Sequence, residues 1–164
     1  MRWDLLEKFE ILKKGEYARA VKSFSGDEDF FGEHFPGRPL VPEPLLVEMI
    51  AQTGGVLMGL GFDFKKEVIL AKITEARFLR EVSPPCRLLA EAWIKEGREE
   101  GAWISGTVKH GNECVARADI LLVAMDLFDQ GRRRQVVFNE NFLRHFDVYN
   151  VAKASENQPV ESKF

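Results

Sequence analysis

Between residues 44 and 60 a single ionisable side chain, Glu48, stands among Leu45, Leu46, Val47, Met49, Ile50, Val56, Leu57, Met58 and Leu60. Apolar residues on nearly every face predict one long buried helix, not an amphipathic surface helix. Gly54, Gly55, Gly59 and Gly61 are poor helix formers. Their presence predicts that a strand or another backbone passes close to this helix. On either side the pattern becomes extended. Residues 1–13 mix apolar and charged positions and read as a strand or short helix. Lys14-Gly15 signals a turn, and residues 17–24 read as a strand. Beyond Asp63, residues 68–73 and 76–82 read as two short strands, ended by Ser83-Pro84-Pro85. Strands at 88–95, 103–109 and 114–124 follow, separated at hairpin lengths by turns around 97–101 and 110–112. A sequential antiparallel meander with one buried helix predicts an α+β domain whose curved sheet wraps that helix. No internal repeat is present.

Residues 126–164 follow the last strand read from the pattern, 114–124, as a C-terminal segment. Phe138, Phe142, Leu143, Phe146 and Tyr149 fall on one side of a short helix, and residues 152–164 read as a mobile polar tail. Packing on a partner subunit and shielding of an entrance are both compatible with this segment. A chain of 164 residues is long enough for one domain with a well-buried core. Apolar residues make up 45% and charged residues 30%, the balance of a soluble globular protein. A net charge of −3 offers no electrostatic case for nucleic acid. No apolar run reads as a membrane span, and the first ten residues lack the apolar core of a signal peptide. Cys86 and Cys114 are isolated thiols without metal-site spacing, which fits a cytoplasmic protein. Thirteen phenylalanines against two tyrosines predict dry packing surfaces and room for an apolar channel.

The chemistry concentrates in His34-Phe35-Pro36-Gly37-Arg38-Pro39-Leu40-Val41-Pro42, with Glu48 fourteen positions after His34. Three prolines fix φ at their own positions and hold Phe35, Arg38 and Val41 extended, while Gly37 allows a turn. The imidazole is therefore held on a stiff loop. A histidine base there and a carboxyl in apolar surroundings point to proton abstraction and proton return on one substrate. Gln52, four residues after Glu48, shares its helix face and can orient the carboxyl or simply satisfy a polar site. Phe35 and Met49 are candidates for the wall of an apolar channel. His110 and His145 read as ordinary surface histidines.

The run Gly32 to Gly55, GEHFPGRPLVPEPLLVEMIAQTGG, resembles the bacterial 3-hydroxyacyl-(acyl-carrier-protein) dehydratases. The similarity continues through ARFLREVSPPCRLLAEAWI to about Met125, which implies a dehydratase-like domain over residues 1–125 and a C-terminal extension over 126–164. The resemblance implies the hotdog fold, with His34 as catalytic base, Glu48 as catalytic acid and the Ala51-Gln52 pair on the helix. It also implies dehydration of a 3-hydroxyacyl thioester to a trans-2-enoyl thioester, in a dimer or larger assembly whose sites draw His34 and Glu48 from different subunits. Glu48 must then be protonated by virtue of burial, or hold a water that delivers the proton. The branch that also isomerises the double bond tends to carry aspartate at the acid position. A hotdog thioesterase is a second enzymatic alternative, and a non-catalytic acyl-carrier-binding subunit is the alternative from another class.

One departure concerns the helix start. The family usually has proline-glycine-valine where this chain has Pro42-Glu43-Pro44. Glu43 keeps the N–H thought to polarise the thioester carbonyl but adds a carboxylate, and Pro44 removes the next donor. The carboxylate either points to solvent, which is the reading adopted, or faces the substrate and alters its choice. The implied partner is acyl carrier protein with a phosphopantetheine-linked substrate. Its acidic surface would be met by basic groups: Arg77 and Arg80 flanking Phe78-Leu79, Lys65-Lys66, or Arg132, Arg133 and Arg134. No metal, nucleotide or redox cofactor is indicated by any clustered ligand set or phosphate-binding glycine loop.

Overall fold

The apolar run around Glu48 folds as α1 (Glu43–Gly61). By length and composition alone this helix is apolar enough to cross a membrane, contrary to the expectation that no run would be, but most of it is buried inside the protein. A computed structural model describes residues 5–126 and 138–160, with the backbone of 128–129 and 132–133. Around α1 curves a six-stranded antiparallel sheet: β1 (Lys8–Lys13), β2 (Tyr17–Phe24), β3 (Lys66–Phe78), β4 (Cys86–Arg98), β5 (Gly101–His110) and β6 (Glu113–Asp126). The sheet's inner face carries small residues at its middle, among them Ala18 and Ala20 of β2, Ala90 and Ala92 of β4, and Ala116 and Ala118 of β6. Small side chains let the helix sit close. At Gly106 of β5 a Cβ would fall 2.1 Å from Ile50 Cγ2, and at Gly54 of α1 it would fall 3.0 Å from Ile104 Cγ2. Gly54 thus answers the expectation of a strand passing close to the helix. Gly55 and Gly59 instead accommodate the rings of Phe138 and Phe64.

The strand order is β1-β2-β4-β5-β6-β3, so the sheet is not a sequential meander. Within this sheet β1-β2 and β4-β5-β6 follow one another as hairpins, through turns of three and two residues. The link from β3 to β4, residues 79–85, contains Pro84-Pro85 and is too long and stiff for a hairpin. Strand β3 therefore pairs with β6 at the far edge. The segments 68–73 and 76–82 are not separate strands, because residues 66–78 form one 13-residue strand. Irregularities between Leu70 and Lys72 and between Ile73 and Glu75 break its alternation and gave it the look of two pieces.

On the outer face, alternate residues of three strands build a charged cluster. Glu91 of β4 is fully buried there. The Tyr17 hydroxyl donates to Glu91 Oε1 at 2.5 Å, Arg19 Nη2 reaches the same oxygen at 3.3 Å, and Lys109 Nζ lies 2.6 Å from Oε2.

The extension packs on the same core. Helix α2 (Glu140–His145) is capped by Asn139, whose side chain accepts the Phe142 N–H, and Phe146 meets Phe9 of β1 edge to face. Helix α3 (Val148–Ser155) covers edge strand β1, where the Leu12 N–H donates to Ser155 Oγ at 3.0 Å. The helix thus includes residues 152–155, which the sequence pattern assigned to a polar tail, because Val148 and Ser155 are buried against β1 and its neighbours. Strands β7 (Phe128–Asp129) and β8 (Arg132–Arg133) pair between β6 and α2.

Candidate active site

His34 follows a 3-10 turn, Asp29–Gly32, whose Phe30 and Phe31 rings pack edge to face on Phe24 of β2. This aromatic anchor in an otherwise acidic loop was not recognised from the sequence. The His34 N–H donates to the Phe30 carbonyl at 2.9 Å, and the Leu40 N–H donates to the His34 carbonyl at 3.0 Å. Between these ties the loop doubles back. The Phe35 and Arg38 amides donate to each other's carbonyls at 3.1 and 2.9 Å, with Pro36 second and left-handed Gly37 (φ 76°) third in the turn. Phe35 and Arg38 are thus the two ends of a closed turn, a tighter arrangement than the extended one expected. The Val41 N–H donates to the Val82 carbonyl at 2.8 Å and ties the loop to the sheet.

The His34 ring is fixed twice. Its Nδ1 lies 3.3 Å from the Leu40 carbonyl oxygen, and the half-exposed Phe35 ring stacks on it at 4.1 Å. With the proton on Nδ1 donating to Leu40, Nε2 carries the lone pair and can accept a proton. The ring opens on a cleft of about 260 Å³ shared with Phe35, Val41, Glu43, Arg80 and Val82. Glu43 is exposed and begins α1. Pro44 has no N–H, and the Leu45 N–H is taken by the Pro42 carbonyl at 2.9 Å. That leaves the Glu43 amide as the donor of the first turn at the cleft. Gly37 shapes the loop and does not line the cleft.

Glu48 opens elsewhere. It is half-buried, and Gln52 Nε2 donates to its Oε1 at 3.0 Å, so the pair four residues apart is directly bonded. Both face a cavity of about 480 Å³ between α1, Val68, Ile69 and Leu70 of β3, and Phe138, Phe142 and Phe146 of the extension. The sequence pattern put these phenylalanines on one face without showing that they reach Glu48. Met49 does not line this cavity: one residue on from Glu48 it is turned about 100° around the helix and is fully buried in the core.

The two openings share no residue. Of the basic candidates, Arg80 lies at the rim of the His34 cleft and pairs with Glu113 at 3.4 Å. Arg77 pairs with Glu75 at 2.6 Å and lines a separate polar hollow with Lys95 and Arg117. The side chains of Arg132 and Arg133, and all of Arg134, lie outside the described residues. Among the described residues no group of three His, Cys, Asp or Glu side chains is placed to hold a metal ion.

Residues 4–119 match the FabA-like domain family. The chain is 36% identical over 126 residues to the 3-hydroxyacyl-(acyl-carrier-protein) dehydratase FabZ of Hydrogenobaculum sp., covering 75% of this chain and 85% of that protein. The chain belongs to this dehydratase family. It is an enzyme of the lyase class. The FabZ dehydratases of Caldanaerobacter subterraneus and Listeria welshimeri are 32% and 35% identical, over 73% and 75% of this chain and 85% and 86% of their own. Solved structures give the same fold. An uncharacterised Pyrococcus horikoshii protein aligns with a TM-score of 0.57 at 20% identity, over 82% of this chain and 88% of its own. The dehydratase heterocomplex ApeI:P of Xenorhabdus doucetiae aligns at 0.53 and 17% identity, over 66% and 88%. The dehydratase family and the hotdog fold expected from the histidine loop are thereby confirmed.

Proposed function

We propose that this chain dehydrates 3-hydroxyacyl thioesters carried on acyl carrier protein in the cytoplasm, at sites that pair His34 of one subunit with Glu48 of another. The observation that carries this reading is the separation of the two groups within one subunit, where they open on a cleft and a cavity with no residue in common. The position of β3 supports the way a second copy completes the site. The Glu48 cavity is bounded by Val68 to Leu70 at the start of β3, and the His34 cleft by Arg80 to Val82 just past its end. Two copies paired antiparallel along β3 bring the start of one strand beside the end of the other. Each Glu48 cavity then faces the other subunit's histidine loop.

In such a site His34 Nε2 removes a proton from C2 of the substrate. The C2 electron pair becomes the C2–C3 double bond. The C3 hydroxyl departs as water with a proton supplied by Glu48, directly or through a water it holds. The Gln52 amide orients the carboxyl, and the Glu43 N–H at the helix start faces the charge that develops on the thioester oxygen. Arg80 at the cleft rim is the basic contact best placed for an acidic carrier; Arg77, Arg132 and Arg133 remain further candidates.

Two variants and their mixture test this. His34→Ala and Glu48→Gln should each lower turnover of a 3-hydroxyacyl carrier substrate about 10²–10⁴-fold with the fold intact by circular dichroism. Mixing them under conditions of proven subunit exchange should restore part of the activity, because one site of a mixed dimer keeps both groups. Confirmed heterodimers without activity would place both residues in a single subunit's site. Near-parental turnover in both variants would discard the chemistry.

A further inference from the structure

Phe138, Phe142 and Phe146 lie beyond the part of the chain that matches the FabA-like family, yet all three line the Glu48 cavity. They recur every four residues, which puts them on one face of α2 and its flanks. Their rings form a continuous stack that is fixed at both ends. Phe138 meets Phe64 at 6.1 Å and Phe142 at 5.0 Å; Phe142 meets Phe146 at 4.6 Å; Phe146 meets Phe9 at 5.6 Å. The missing side chain of Gly55 gives Phe138 its place, since a Cβ there would come within 3.0 Å of Phe138 Cζ.

The cavity has a polar side and an apolar side. Glu48 and Gln52 supply polar groups, while Ala51, Gly55, Leu122 and the three rings are apolar. Along α1, Gly55 lies about 10 Å beyond Glu48, at 1.5 Å per residue. A substrate whose C3 hydroxyl sits at Glu48 therefore has its apolar tail directed along the helix toward Gly55 and the ring stack.

We propose that Phe138, Phe142 and Phe146 are the end wall of the acyl site, so that the C-terminal extension sets the longest 3-hydroxyacyl chain this enzyme accepts. The occupant is the acyl tail itself, because the cavity that the rings close is the one that holds the Glu48–Gln52 pair. This inference rests on the dehydratase reading given above, and its test has two separate readouts. The first is calorimetric binding of acyl-pantetheine thioesters from butanoyl to hexadecanoyl. The second is enoyl formation from the corresponding 3-hydroxyacyl compounds. The parent should show a sharp cut-off in both. Phe142→Ala should move the cut-off to longer chains, raising the long-to-short ratio at least tenfold, and Phe142→Trp should move it to shorter ones. Opposite shifts from the two variants separate a wall from mere loosening of the extension. Tyr149→Ala, in α3 and outside the cavity, should keep the parental cut-off. A parent that binds and turns over all lengths equally, or Phe142 variants that leave the ratio fixed, would overturn the wall. A cut-off that shifts in binding without any enoyl product would leave the wall standing and discard the dehydratase reading.

Discussion

Glu43 starts α1 with an exposed carboxylate on the wall of the His34 cleft, and its amide is the donor left in a first turn interrupted by Pro44. An exposed carboxylate is hydrated and screened, so its repulsion of charge on a bound thioester is small, while its attraction to the helix dipole is worth about 0.3–1 kcal/mol. Glu43→Gly should therefore change the turnover rate less than tenfold and lower stability by about that amount, read from urea midpoints and single-turnover rates. A tenfold rate increase, about 1.4 kcal/mol of transition-state free energy, would show that the carboxylate faces the substrate. The tied-down loop of His34 and the Glu48–Gln52 bond were legible in the sequence because local rules fix them: prolines hold the loop, and a spacing of four bonds the amide to the carboxyl. Met49 was misjudged for an equally physical reason. When a helix is apolar all round, its sequence does not say which face meets a cavity and which meets the sheet.

At the scale of elements, Glu91 clamps β2, β4 and β5 together on the outer face of the sheet. Burial pushes its pKa up, but hydrogen bonds from Lys109 and Tyr17, and the charges of Lys109 and Arg19, outweigh burial and hold the carboxyl below the usual carboxylate range. Burial, and then the same contact, push the Tyr17 phenol well above its ordinary value, so it stays a donor. The sign of the stability effect follows. The unfolded chain takes up the Glu91 proton at a higher pH than the folded one, so this stabilisation is present above the ordinary carboxylate pKa and is lost as pH falls through the folded value. Glu91→Gln should cost about 1.5–3 kcal/mol at neutral pH, the range for hydrogen bonds to charged groups. Its deficit against the parent should shrink progressively in acid, in urea titrations repeated across pH. A deficit independent of pH would mean that shape, not charge, holds the clamp. Strands of this kind are readable locally, as residues 17–24 show by coinciding with β2. Strand β3 was not, because its irregularities spoil the period-two alternation and its neighbour, β6, lies far along the chain.

Among the described residues one edge of the sheet is covered and the other is open. Helix α3 covers β1, and Ser155 takes up the Leu12 amide. At the opposite edge β3 shows Ile69, Leu70 and Ile73 at 39%, 39% and 48% exposure, an apolar strand edge that invites pairing with another chain. Neither the sheet order nor this asymmetry could be read from the sequence, since both depend on which distant strands meet. Ile73 does not line the Glu48 cavity, so it reports on assembly without altering the site's own wall. Ile73→Lys puts a charge on the proposed two-fold seam, where it would lie close to its own copy and repel it. Sedimentation should then give a monomer, and circular dichroism should remain that of the parent. Turnover should fall by about 10² or more, because in the proposed shared site each Glu48 would lose the partner's histidine. The melting temperature of the parent should rise with protein concentration, as for any fold coupled to association, while that of the variant should not. A fully active Ile73→Lys monomer would mean that a single subunit brings His34 and Glu48 together. A variant that stays dimeric and active would place the subunit contact on another face.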